Sequence, residues 1–149
     1  MKNVIYGKLF LAAAALTLGI STAYAQFDAK MKAEIPFSFS VGNQEYSAGN
    51  YEVAVVSNSG GVRILRIANA QTGTKQLAMS ALTLYPSTPS ERDGSARLVF
   101  RCGDSRSACS LMQVWPGNAS AGMLMRAPAV KGNERQHLAV IGLRPWNAD

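Results

Sequence analysis

Leu98-Val99-Phe100-Arg101-Cys102-Gly103-Asp104-Ser105-Arg106-Ser107-Ala108-Cys109-Ser110-Leu111-Met112-Gln113-Val114-Trp115 is the stretch that decides the fold class. Two runs of strand-forming residues flank a polar turn with a glycine, which is the pattern of a β-hairpin. A cysteine stands at each inner end, and the chain has no others. In an antiparallel register Cys102 falls opposite Cys109, Phe100 opposite Leu111, Leu98 opposite Gln113 and Ala96 opposite Trp115. Two cysteines so placed in an exported chain are expected to form a disulfide. A zinc half-site or a redox pair fits less well, because no second cysteine pair, no Cys-x-x-Cys spacing and only one histidine are present.

Outward from the hairpin the same period recurs. Ile35, Phe37, Phe39 and Val41 alternate with polar residues and Pro36, which predicts a half-buried strand at a sheet edge. Gly42-Asn43 turns the chain, and Gly49-Asn50 suits the positive φ of a second tight turn. Tyr51, Val53 and Val55 alternate with Glu52 and Ala54 in the next strand. Residues 62 to 68 carry apolar side chains on both faces and suit a central strand. Lys75 to Leu84 reads as one further strand, with Leu77, Met79 and Ala81 on one face.

Tyr85 to Ser95 is polar, contains two prolines and has no period, so it reads as a surface loop. Met123-Leu124-Met125 is a short apolar run between turns. Asn133 to Leu138 suits a short helix with Asn133 as cap, and Val140 to Arg144 a last strand stopped by Pro145. Turn signals every ten or so residues, without a long 3.6-residue period, predict an all-β domain. The expectation is an antiparallel sandwich or a partly open barrel of about seven or eight strands.

Residues 1–25 read as a signal peptide. Lys2 and Lys8 form a basic start, Leu9 to Ile20 an apolar core, and Ala23-Tyr24-Ala25 the small-residue cleavage signal before Gln26. An apolar core of twelve residues falls short of the ~20 needed to span a bilayer. No cysteine near that site offers a lipid anchor. Residues 26–149 are then a single β domain, periplasmic or secreted, with no transmembrane segment. Of the 15 Lys and Arg, two lie in the leader, leaving 13 against 9 Asp and Glu. This mild, scattered positive charge lacks the basic stripe with interleaved aromatics that nucleic-acid binding shows.

Ile35-Pro36-Phe37-x-Phe39-x-Val41-Gly42, then Ala48-Gly49-x-Tyr51-x-Val53, Leu98-Val99-Phe100 with Gly103-Asp104, and Leu111-x-x-Val114-Trp115 together resemble a family of small exported bacterial proteins with no established activity. The resemblance covers roughly residues 33 to 125 and implies an exported β-protein with no catalytic residues to transfer. That family tends to carry aromatics where this chain has Cys102 and Cys109, and to end in a polar helix. Residues 48–53 are also similar to the strand-turn-strand of prealbumin-like accessory domains, which implies a binding or structural module.

Catalytic and metal chemistry find little support in the residues. Gly103-Asp104-Ser105 invites a serine-nucleophile reading, which needs a base within ~3 Å and an oxyanion hole. His137 is the one histidine, and no Asp-x-x-His or upstream histidine accompanies the tripeptide. Asp104, Glu91, Asp93 and Asp149 are dispersed, with no calcium-type acidic loop, and no phosphate-cradling glycine loop precedes a helix. No metal and no cofactor is therefore expected. Among the aromatics, Tyr46, Tyr85 and Trp146 are candidates for a ligand groove, whereas Tyr51 and Trp115 are assigned to the core. The function this implies is an exported, non-enzymatic cell-envelope module, binding an envelope partner or ligand or serving structurally. The alternative is a small serine hydrolase built on Asp104, Ser105 and His137.

Overall fold

The computed structural model describes residues 30–57, 63–79, 82–104, 109–118, 121–127 and 135–147. The chain is an all-β sandwich of two sheets. β1 (Met31–Ile35), β4 (Gly49–Ser57), β5 (Arg63–Asn69), β6 (Lys75–Met79) and β12 (Arg144–Pro145) form the first, in the order β12-β1-β4-β5-β6. The second runs β11-β8-β9-β10-β7, from β7 (Leu82–Leu84), β8 (Arg97–Gly103), β9 (Cys109–Trp115), β10 (Gly122–Leu124) and β11 (Gln136–Gly142). The hairpin of β2 (Phe39–Val41) and β3 (Gln44–Tyr46) joins it, because β2 lies parallel to β9. Every other pairing is antiparallel. Neither sheet closes into a barrel.

Twelve strand segments among the described residues replace the seven or eight expected. Several expected strands are in fact broken between the two sheets. The run from Ile35 to Val41 ends its first-sheet pairing at Ile35 and resumes in the second sheet at Phe39. Pro36 explains the break, since it has no N–H to continue a ladder. Ile35, Phe39 and Val41 all remain buried through the crossing. Lys75 to Leu84 divides likewise into β6 and β7. Ala78 stands opposite Leu65 and packs on the core, whereas the side chains of Leu77, Met79 and Ala81, expected on one face, lie outside the described residues. The first strand also starts earlier than its polar sequence suggests, with Met31 buried.

The core lies between the sheets. Ile35, Val53, Leu65 and Ile67 from one side meet Leu98, Phe100, Leu111, Val114 and Met123 from the other. An aromatic cluster holds one end. Phe39 stacks on Tyr46 at 5.1 Å and meets Tyr51 and Phe100 edge-on at 5.1 and 5.4 Å. Burying a side chain the size of Phe100 contributes about 1.5–3 kcal/mol.

In the central hairpin Cys102 lies opposite Cys109 and Phe100 opposite Leu111, as expected. Beyond that the register departs: Val99 faces Gln113, Leu98 faces Val114 and Arg97 faces Trp115. Met112 is the extra residue of a β-bulge. The expected register would have placed Gln113 in the core beside Leu98. The bulge shifts the phase by one, so Val114 enters the core and Gln113 turns out. Trp115 follows it to the outer side. It is buried there against Gly122, with the Arg97 guanidinium 5.4 Å from its ring centroid and its Nε1 donating to Gln113 Oε1 at 3.0 Å.

Three further expectations change. Gly49 and Asn50 open β4 and do not form a turn. The loop from Tyr85 contains one turn of helix, α1 (Pro89–Arg92), closed by a capping box between Thr88 and Glu91. The helix expected from Asn133 is strand β11 in its described part, because Ala139 and Ile141 pack on the core with period two. Asn133 itself lies outside the described residues.

Candidate functional site

The last strands create the feature of most functional interest. β11 belongs to the second sheet and β12 to the first, so the chain crosses between sheets at Leu143. That residue is buried, and its N–H donates to the Ala96 carbonyl at 2.9 Å. Arg144 and Pro145 then pair with Lys32 and Met31, and the Trp146 N–H donates to the Lys30 carbonyl at 3.1 Å.

The hydrogen-bonding phase of both edges follows from these contacts. Cys102 and Cys109 are disulfide-bonded across the hairpin with Cα atoms 4.0 Å apart, the spacing of a non-hydrogen-bonded pair. Cys102 therefore turns its N–H and C=O toward β11, where His137 is its partner. The bond from Leu143 to Ala96 gives the same phase independently. Odd-numbered residues of β11 bond β8, whereas Leu138, Val140 and Gly142 aim their N–H and C=O groups at the outer edge. No strand of the described residues pairs there. On β1, the Lys30–Trp146 bond sets Lys30, Lys32 and Glu34 toward β12. β12 reaches only Met31 and Lys32, so the Glu34 backbone groups project past its end.

Between these two open edges lies a cleft of about 800 Å³. Lys32, Glu34 and Tyr51 line it from the first sheet, Val140 and Gly142 from the second, with Arg144 and Trp146 at the crossing. Lys32 Nζ sits 5.2 Å from the Trp146 ring centroid, within cation–π range. Lys32 and Arg144 are directly opposite each other across β1 and β12. Like charges in that position repel. Lys32, Glu34 and Arg144 are the charged residues of its described lining.

The residues singled out from the sequence are distributed as follows. Trp146 lines the cleft. Tyr46 packs on Phe39 and donates its hydroxyl to Gln76 Oε1 at 2.8 Å. Burial, and secondarily the neighbouring Tyr51, push its phenol up to about 12. Tyr85 follows β7, is 78% exposed and does not line the cleft. Tyr51 is a core residue whose hydroxyl donates to the Ser47 carbonyl at 2.6 Å, and one side of it forms cleft wall. Ser105 lies outside the described residues. Asp104 is exposed at the end of β8, and exposed His137 stands opposite Cys102, at the same end of that sheet.

Among the described residues, no group of three His, Cys, Asp or Glu side chains converges as a metal site. No helix among them is long and apolar enough to cross a membrane. The cleft residues Lys32, Glu34, Val140, Gly142 and Arg144 carry no motif. Pro145, expected to stop the last strand, instead belongs to β12 and pairs with Met31, because the strand has already ended at Gly142 and the chain has changed sheets at Leu143. No protein family, no curated protein and no solved structure matches this chain.

Proposed function

We propose that this protein is an exported, non-enzymatic module of the cell envelope, periplasmic or secreted, that binds a partner or ligand in the cleft between β1 and β11. The observation that carries the reading is the cleft itself, framed by two open strand edges and furnished with Trp146, Lys32 and Arg144. Clefts that combine apolar walls with a few convergent polar groups are the usual form of binding sites. The leader-like residues 1–25 and the Cys102–Cys109 disulfide support an oxidising compartment. The motif likeness to small exported bacterial β-proteins points the same way.

Affinity capture from periplasmic and outer-membrane extracts tests this, with residues 26–149 as bait and the Trp146→Ala variant as control. The reading expects a component that wild-type protein retains and the variant loses. Equal retention by both, or none by either, contradicts it.

A second reading, a small serine hydrolase, rests on one observation: the sole histidine lies opposite Cys102, at the end of β8 that leads into Gly103 and Asp104. A fluorophosphonate probe decides between the two. Covalent labelling that Ser105→Ala abolishes would establish the hydrolase, and absence of labelling removes it.

A further inference from the structure

We infer that the mature chain carries a pyroglutamate at residue 26, formed by cyclisation of the N-terminal glutamine that removal of the leader exposes. This rests on the export reading above and adds a covalent modification to it. Ala23-Tyr24-Ala25 places the cut before Gln26, and Gln26 is the only glutamine ahead of Gln44. A cut one residue earlier or later would leave Ala25 or Phe27 in front, and neither side chain can close such a ring. The modification is therefore specific to this one cleavage position.

The chemistry needs no second molecule. The neutral α-amine of Gln26 attacks its own side-chain amide carbon, Cδ. A bond forms between the α-nitrogen and Cδ, and the bond from Cδ to Nε2 breaks. The α-nitrogen gives up one proton, Nε2 takes it and leaves as ammonia, and nothing is oxidised or reduced. The product is a neutral lactam ring. A peptide α-amine titrates at ~7.7–8.0, so roughly a tenth of it is neutral and nucleophilic at neutral pH. Carrying amine and amide on one residue gives the attack the advantage of an intramolecular reaction.

The fold accommodates both the cut and the ring. The ladder of β1 with β4 and β12 begins at Met31, so a cut before residue 26 removes no described strand. The Lys30 carbonyl accepts from the Trp146 N–H at 3.1 Å, which fixes the chain four residues after Gln26. Glu52, the carboxylate that Lys30 engages, lies 3.7 Å from Lys30 Nζ and 3.1 Å from Arg66 Nη2. It already serves two cations, so it is no open anchor for a protonated α-amine. Cyclisation deletes the positive charge of that amine and closes the end to aminopeptidases, which require a free α-amine.

The test is intact-mass and N-terminal peptide mass spectrometry of the full chain, residues 1–149, exported by a bacterial host and incubated at neutral pH. The expected product begins at residue 26, is one ammonia lighter than its disulfide-bonded sequence and resists an aminopeptidase. Gln26→Ser should begin at the same residue, keep its full mass and be trimmed by that enzyme. A free α-amine on a chain beginning at Gln26 overturns the inference and leaves export standing. A chain beginning at Met1, or at any other residue, overturns the inference together with the leader on which it rests. Loss of ammonia that persists in Gln26→Ser places the reaction elsewhere and overturns it as well.

Discussion

Reduction of the Cys102–Cys109 disulfide is a perturbation whose size follows from chain connectivity. The bond closes a loop of sequence separation 7 at the mouth of the central hairpin, where β8, β9 and, through Phe39 opposite Cys109, β2 are tied together. A loop of that length restricts the unfolded chain by about 8 cal/mol/K, which corresponds to about 2.4 kcal/mol at 25 °C. With an unfolding entropy of about 2.1 cal/mol/K per residue over residues 26–149, the melting temperature should fall by about 9 °C. Reduction keeps both sulfur atoms in the protein, so it isolates the connectivity effect. The Cys102→Ala/Cys109→Ala variant should lose more, because both cysteines are buried and their packing is lost as well. Scanning calorimetry of oxidised, reduced and double-alanine protein measures the three states. A drop under about 3 °C on reduction would refute the reasoning, since the loop term alone exceeds that.

Other expectations are equally specific. Gly122→Ala places a methyl 2.8 Å from a Trp115 ring carbon, closer than any carbon pair tolerates, and should cost about 1–3 kcal/mol in urea unfolding. Glu91 accepts from the Thr88 and Ser87 backbone N–H groups and the Ser87 hydroxyl, which hold its carboxyl near 2 against an ordinary 4.5. Its folded-state value is depressed, so the capping contribution is complete above 4.5 and is lost as pH falls through 2. A carboxyl carbon NMR titration should show that midpoint, and one near 4.5 would contradict the cap. Tyr46 should ionise near 12 in an absorbance titration, above its ordinary 10, and its contribution to stability should be complete below 10 and lost as pH rises through 12.

Much of the fold was legible because its signals are local. Val53 and Val55 alternating with Glu52 and Ala54, the glycine turn at Gly42-Asn43 and the cysteine-flanked hairpin each report on a few neighbouring residues. The departures come from competition over longer range. Met112 bulges because Val114 gains more from the core than Gln113 would, which only the facing Leu98 reveals. The strand β11 hid behind exposed Leu138 and Val140, whose apolar character is misleading about which face is buried. Its inward residues are the smaller Ala139 and the partly buried Ile141. The cleft was illegible for the same reason. It joins Lys32 and Glu34 to Val140 and Trp146 only because the chain changes sheets at Leu143, and of the aromatic groove candidates Trp146 alone reaches it.

The central claim is that two open strand edges face each other across one cleft, and residue-resolved amide hydrogen exchange of residues 26–149 tests it without any ligand. The account predicts alternation along β11: slow exchange at Ala139 and Ile141, which bond β8, and fast exchange at Leu138, Val140 and Gly142, with fast exchange also at Glu34. Protection of Val140, Gly142 and Glu34 equal to that of Ala139 and Ile141 would mean that the edges are already paired, and would contradict the account.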